Sequence, residues 1–380
     1  MSTLPPSAIA NFTDYTLPSL HFPAGVPPLS VRLWQVEGTA PNSSEPAPFV
    51  LHTHGGGFLA GHHYFPPWWV HDGFRKRGYH LLAHSYRLAP QVTIADQLAD
   101  SLEVLAWVRE TLPGIMAAEQ DKADVPPLDP DRYVLVGDSA GGTLAALMAA
   151  SAALTPPPRA LVDVYGLMDF FAELEVDKEK AEAGAESPKW EGEFSEEELM
   201  AFMMDRNPNN TMTVAMAWKE MEEFTEEELS ALFGVKIEYD ERIRRHAELN
   251  IWTQSRVDSI AWMYKGTMHP EKFKCRPEGE YEAFVNGLSP LKVMKARMEK
   301  GEKGGYPPTA FLHGTGDTNV PVSQSREFAG VLKEMGVDVV ECYEEGMPHV
   351  FDRKYTDPSV PGWETYIQPI IDFVDRHVGI

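Results

Sequence analysis

At 380 residues the chain is too long for a minimal domain, and it has the length for one large α/β domain with insertions or for two domains. Its 33 basic and 57 acidic residues leave a net charge of −24, which repels nucleic acid and anionic membrane surfaces and points to a neutral or apolar small-molecule substrate. No apolar run is long enough to cross a bilayer, and "MSTLPPSAIANF" has neither the basic nor the apolar region of a secretory signal, so a cytoplasmic protein without stable membrane association is expected. Two cysteines, Cys275 and Cys342, cannot build a disulfide framework, in keeping with a reducing compartment. A homodimer is compatible with these bounds.

In chain order, "NFTDYTLPS" and "LSVRLWQVEG" read as opening strands joined by the proline-rich "HFPAGVPP". "APFVLHTH" is the next strand and runs into three glycines, Gly55 to Gly57; "YHLLAHSYRL" follows and stops at Pro90. Leu98, Leu102, Leu105, Trp107 and Val108 recur at helical spacing and predict an amphipathic helix over Thr93–Leu112. "DRYVLVGDSAGGTLAALMAASAAL" passes from a strand through a glycine-flanked turn into an alanine-rich helix, and "RALVDVYGLMDF" is strand-like.

Beyond Phe170 the strand alternation disappears. Acidic clusters (Glu196 to Glu198, Glu226 to Glu228) surround methionines and aromatics, and "SEEEL" and "TEEEL" carry the capping-box signal of a helix start. A helical insertion over residues 171–286 is therefore expected, with 1–170 and 287–380 as the core. Strands return in "PPTAFLHGTGD" and "VDVVECYEEGMPH", separated by a helix over Ser323–Met335, and "WETYIQPIIDFVDRHV" closes the chain as a helix. Repeated β-α-β construction makes the fold class α/β, a mostly parallel sheet flanked by helices.

Gly137-Asp138-Ser139-Ala140-Gly141 fits G-x-S-x-G, a tight strand-to-helix turn that exposes a serine. A serine hydroxyl is a weak nucleophile near neutral pH and needs an imidazole base oriented by a carboxylate. With this elbow the chain order is Ser, acid, His, yet only five of the thirteen histidines follow Ser139: His246, His269, His313, His349 and His377. His246 and His269 belong to the insertion, and His377 falls in the terminal helix. Asp317 lies on the loop after one late strand and His349 on the loop after the next, at the carboxyl ends where open α/β sheets place their sites. Asp317 is thus the expected acid and His349 the expected base, with Asp338 and Asp352 as rival acids. The glycines after the third strand allow backbone N–H groups to approach an oxyanion at the serine, joined by the N–H of Ala140.

HGGGF (His54 to Phe58), SYRLAP (Ser85 to Pro90), GDSAGG (Gly137 to Gly142), SPL (Ser289 to Leu291), HGTGD and PHVF together resemble the hormone-sensitive-lipase-like branch of the α/β-hydrolase fold, which contains carboxylesterases. The resemblance implies a triad of Ser139, Asp317 and His349, oxyanion donors at Gly56, Gly57 and Ala140, and His54 as a support of the glycine loop. It implies no metal or other cofactor, so His52, His54, His62 and His63 are not expected to be ligands. Gln91 departs from it, standing where the family usually has Glu, and the insertion, which falls where the family has its helical cap, is longer than usual.

Methionines and aromatics in the cap suit a bulky apolar group. The alternative is that Met203, Met204, Met216 and Trp218 form the cap's own core. Phe58, Trp68, Trp69 and Met203 are the expected substrate contacts. Hydrolysis of a carboxylic ester, or of a related acyl or thioester bond, is the leading function. Dehydration or cyclisation at the same site, as in plant relatives of this branch, is the alternative. A receptor such as the plant gibberellin receptors, which lack the catalytic histidine, fits less well because His349 is present.

Overall fold

The computed structural model describes residues 11–17, 22, 25–37, 45–119, 125–172, 179–180, 182–216, 222–258, 283–302 and 305–380. The apolar runs become β1 (Phe12–Thr16), β2 (Ser30–Trp34), β3 (Ala47–Thr53), β4 (His80–His84), β5 (Leu128–Asp138), β6 (Ala160–Val164), β7 (Thr309–Gly314) and β8 (Val339–Glu344). They form one eight-stranded sheet in the order β1-β2-β4-β3-β5-β6-β7-β8. β2 is antiparallel to β1 and β4, while the neighbours from β4 to β8 are parallel.

Every residue of β3, β4, β6 and β7 is buried, as expected of parallel strands covered on both faces. The period-two alternation divides them between two cores. Phe49, Leu51, Leu135 and Phe311 point to one face, and Val50, Val134, Val136, Ala310 and Leu312 to the other. Helices α1 (Trp68–Arg75) and α10 (Gln368–Val378) cover the second face; α2 (Ile94–Glu110), α4 (Ala140–Ala149), α8 (Pro290–Glu299) and α9 (Ser323–Glu334) cover the first.

Two expected helices are shorter than their patterns. The helix begun at the Thr93 capping box ends at Glu110, and α3 (Leu112–Glu119) follows as a separate piece. Pro113 would clash with the preceding turn of a continuous helix. Near the C-terminus a π-helical turn, Trp363–Ile367, precedes α10, with Pro369 in that helix's first turn.

Between β6 and β7 lie α5 (Glu196–Met203), α6 (Glu226–Phe233) and α7 (Glu241–Ser255). Ser195 and Thr225 close reciprocal capping boxes with Glu198 and Glu228, and Asp240 caps α7. This helical region is tied to the sheet and its loops by hydrogen bonds. Arg32 donates to the Phe233 carbonyl at 2.6 Å, the Leu88 N–H to Met212 O at 2.7 Å, and His246 Nδ1 lies 2.9 Å from Leu59 O. Met203 packs with Leu59, Leu199 and Trp252, and Met216 with Leu229 and Phe233. Trp218, Met221, His269 and Cys275 lie outside the described residues.

Gln91 is buried and donates to Asp205 Oδ2 at 3.0 Å. The same carboxylate accepts from Asn207 N–H and Asn210 Nδ2, which overcome the effect of burial and hold it below the usual carboxylate range. An acid at position 91 would set two carboxylates side by side. Gln91→Glu is therefore expected to cost about 1–3 kcal/mol at neutral pH, with the loss shrinking toward acid as the pair takes up a proton. Urea unfolding at pH 7 and pH 5 measures this.

Candidate active site

Ser139 follows β5 directly and opens α4 with φ 52 and ψ −122, a left-handed conformation that a non-glycine residue occupies only under constraint from its surroundings. The flanking glycines supply that freedom of space. A Cβ on Gly137 would lie 2.2 Å from Gly141 O, and one on Gly141 2.0 Å from Thr53 O. The turn closes because the Ser139 N–H donates to Val164 O at 2.9 Å and its carbonyl accepts from Thr143 N–H.

Three loops at the carboxyl ends of β5, β7 and β8 converge here. His349 Nε2 lies 3.0 Å from Ser139 Oγ, and His349 Nδ1 lies 2.6 Å from Asp317 Oδ2. With Nδ1–H donating to the carboxylate, Nε2 is left to accept the serine proton. Asp317 Oδ1 accepts from the Asn319 and Val320 N–H groups at 2.8 and 2.9 Å. His313 Nε2 stands 2.8 Å from Val320 O and 3.3 Å from Asp317 Oδ2, sharing its reach between them. Burial acts to raise the Asp317 carboxyl, but hydrogen bonds to His313, His349 and the Val320 N–H outweigh it and hold the group far below the usual range.

Neither rival acid faces His349. Asp338 pairs with Arg376 and His377, each at 3.0 Å. Asp352 is buried and accepts from Tyr165 OH at 2.6 Å and Trp69 Nε1 at 2.9 Å. The Tyr165 ring in turn packs 4.5 Å from the imidazole of His349. Tyr165 and His313 were beyond sequence reasoning as supports, since their roles depend on packing between strands and not on a motif.

The glycine loop comes close to the serine. Gly56 and Gly57 have φ 115 and 60, and a Cβ there would lie 2.1 Å from Ala60 O and 2.6 Å from Asn250 Oδ1. Neither amide hydrogen bonds to any described residue. Ala140, the first residue of α4, is buried beside Ser139. Gly55 N–H donates to Asp138 Oδ2 at 3.1 Å, which ties this loop to the elbow. His54 Nδ1 lies 2.7 Å from Gly55 O, and the ring stacks on Tyr86 with centroids 4.3 Å apart. Burial lowers His54 to about 3, so it stays neutral near pH 7 and braces the loop. His52 Nε2 is 2.9 Å from Asp138 Oδ1 but misaligned for a hydrogen bond. Among the described residues no three His, Cys, Asp or Glu side chains gather into a metal-binding group.

A cleft of about 300 Å³ opens over Ser139 and His349, within the range of small-molecule sites. Its wall differs from the expected set: Phe58, Trp68, Trp69 and Met203 do not line it. Phe58 is buried against Phe170, Trp68 packs on Phe65 and His71, Trp69 belongs to the core under the sheet, and Met203 to the core between α5 and α7. Large apolar side chains gain most where both faces are covered, so these residues went to the cores. Phe65, Asn250, Ile251, Gln254, Asn319 and Arg353 face the cleft instead. Trp69→Phe, which strips a donor from the buried Asp352 carboxyl, is expected to lower stability by about 1–3 kcal/mol with little change in KM. Thermal unfolding and ester kinetics on the same variant separate the two effects.

A family model described as alpha/beta hydrolase fold matches residues 50–228. An esterase of Pyrobaculum calidifontis superposes with a TM-score of 0.52 at 16% identity, covering 97% of this chain and 89% of that one. A fungal esterase structure from Rhizomucor miehei gives 0.56 at 16% identity, covering 97% and 84%. These likenesses and the sheet order show the α/β-hydrolase fold. Among curated proteins, a non-reducing polyketide synthase of Stachybotrys bisbyi is 28% identical over 339 residues, 87% of this chain but 13% of that protein's length. Lipase 2 of a Moraxella species is 36% identical over 104 residues, 26% of this chain and 21% of the lipase. The chain thus spans only a small part of the curated relatives it matches. None of the helices searched among the described residues is long and apolar enough to cross a membrane.

Proposed function

We propose that this chain, built on the α/β-hydrolase fold, is a serine hydrolase of the hormone-sensitive-lipase-like branch that cleaves a carboxylic ester or related acyl bond through an acyl-enzyme. The observation that carries the reading is the hydrogen-bonded series from Ser139 through His349 to Asp317. Ser139 Oγ attacks the acyl carbon while His349 Nε2 takes its proton. The imidazolium is stabilised by Asp317, and the proton passes to the departing alcohol as the ester C–O bond breaks. Water then attacks the acyl-enzyme, His349 takes its proton, and the acid leaves with Ser139 restored. Negative charge on the carbonyl oxygen falls to the N–H groups of Gly56, Gly57 and Ala140, fixed before the substrate arrives. The helices between β6 and β7, α5, α6 and α7, act as a cap over this site.

The similarity to polyketide synthases supports a second substrate reading, a polyketide-derived ester or thioester handled by the same residues. Incubation with short 4-nitrophenyl esters and with a fluorophosphonate tests the hydrolase reading. Release of 4-nitrophenol and a single phosphonyl adduct mapped to Ser139 are the expected results; no adduct on Ser139 would refute it.

A further inference from the structure

Resting on that reading and adding the substrate class, we infer that the cleft selects uncharged esters whose acyl or alcohol part carries hydroxyl groups, over plain alkyl or aryl esters. Asn250 and Gln254 lie four residues apart on α7 and so share one helix face. Gln254 Nε2 donates to Asn250 Oδ1 at 2.8 Å, and Asn319 Nδ2 donates to Gln254 Oε1 at 3.4 Å. These three amides cross the cleft. At one end Asn250 Oδ1 abuts Gly57 of the glycine loop, and at the other Asn319 follows Asp317 on the acid's loop.

The row of amides is incomplete by itself. Asn250 is only 7% exposed, yet its Nδ2 donates to no described residue, and Asn319 Oδ1 accepts from none. An alkyl chain laid over these groups would displace water and return no hydrogen bond, leaving them unpaired. A hydroxyl both donates and accepts, so it can fill either end. A carboxylate only accepts and would leave Asn319 Oδ1 without a donor, so an uncharged hydroxyl is the group that matches both ends of the row.

Two matched pairs read the preference: methyl benzoate against methyl 3,5-dihydroxybenzoate for the acyl side, and propyl butyrate against glyceryl 1-butyrate for the alcohol side. In at least one pair the hydroxylated ester is expected to have at least a tenfold higher kcat/KM. That ratio is expected to fall at least tenfold in Asn250→Leu/Gln254→Leu, or in Gln254→Leu alone if the double variant does not fold. Preference for the plain ester in both pairs, or a ratio unchanged in the variant, overturns the inference. Calorimetric titration of Ser139→Ala protein with the same esters reads recognition without turnover. At least tenfold tighter binding of a hydroxylated member supports the inference even if no ester is cleaved, and equal or weaker binding in both pairs overturns it. Failure of Ser139 to label counts against the hydrolase reading alone, so the two failures are distinguishable.

Discussion

Ser139→Ala is expected to reduce kcat for ester hydrolysis on the order of 10⁶-fold and to abolish the fluorophosphonate adduct. The size follows from the proposed chemistry: without the serine hydroxyl no acyl-enzyme forms on this turn, and what remains is the catalysis that bound water gains from the proposed oxyanion donors. The fold should survive. The bonds that hold the turn, Ser139 N–H to Val164 O and Thr143 N–H to the Ser139 carbonyl, are made by backbone and persist in alanine. Circular dichroism and thermal unfolding check that point, and intact-mass spectrometry checks the adduct. Unchanged turnover of a natural substrate by the variant would exclude an acyl-enzyme and favour dehydration or cyclisation in the same cleft.

Asp317→Asn is expected to lower kcat by about 10⁴-fold with a much smaller effect on KM. The carboxylate accepts from His349 Nδ1, which leaves Nε2 unprotonated toward Ser139. An amide that turns its NH₂ toward Nδ1 donates where the acid accepted, so the imidazole takes the other tautomer and presents Nε2–H to the serine. That nitrogen then has no lone pair for the proton. Stability should change with pH in a defined direction. A carboxyl whose folded value is depressed adds stability that is fully present above its unfolded value, near 4 as for ordinary carboxyls, and that is lost as pH falls through the folded value. The asparagine variant lacks this contribution, so the gap between the two proteins should be widest near neutrality and narrow on acidification into the range below 4. Denaturant unfolding at several pH values measures it, and steady-state kinetics at pH 7 measure the rate.

The strands and most of their flanking helices were legible because their patterns are local. Alternating or continuous apolar runs need no partner to be recognised, and Ser195 with Glu198 announces a helix start within four residues. Ser139 was legible for the same reason, as a strand, a glycine turn and a helix adjoin it. Asp317 and His349 could be nominated from chain order and loop position, but their contact spans 32 residues and the contact of His349 with Ser139 spans 210. Only the stacking of β5 to β8 in one parallel sheet closes those distances.

The cleft wall was not legible. An aromatic or methionine in sequence carries no mark of whether it faces substrate or core, and the free energy of burial drew Phe58, Trp69 and Met203 inward. Asn250 and Gln254, ordinary polar residues on a helix, acquire their place only because α7 crosses the glycine loop. Gln91 read as a departure from a familiar motif, and the neighbouring Asp205 in the folded chain supplies the reason. The sequence alone thus determined the order of elements and the residue types able to do the chemistry, since both follow from local periodicity and turn geometry. Which side chains meet across the cleft, and which are spent on the core, was decided by tertiary packing, because those choices depend on competition among distant segments for the same buried space.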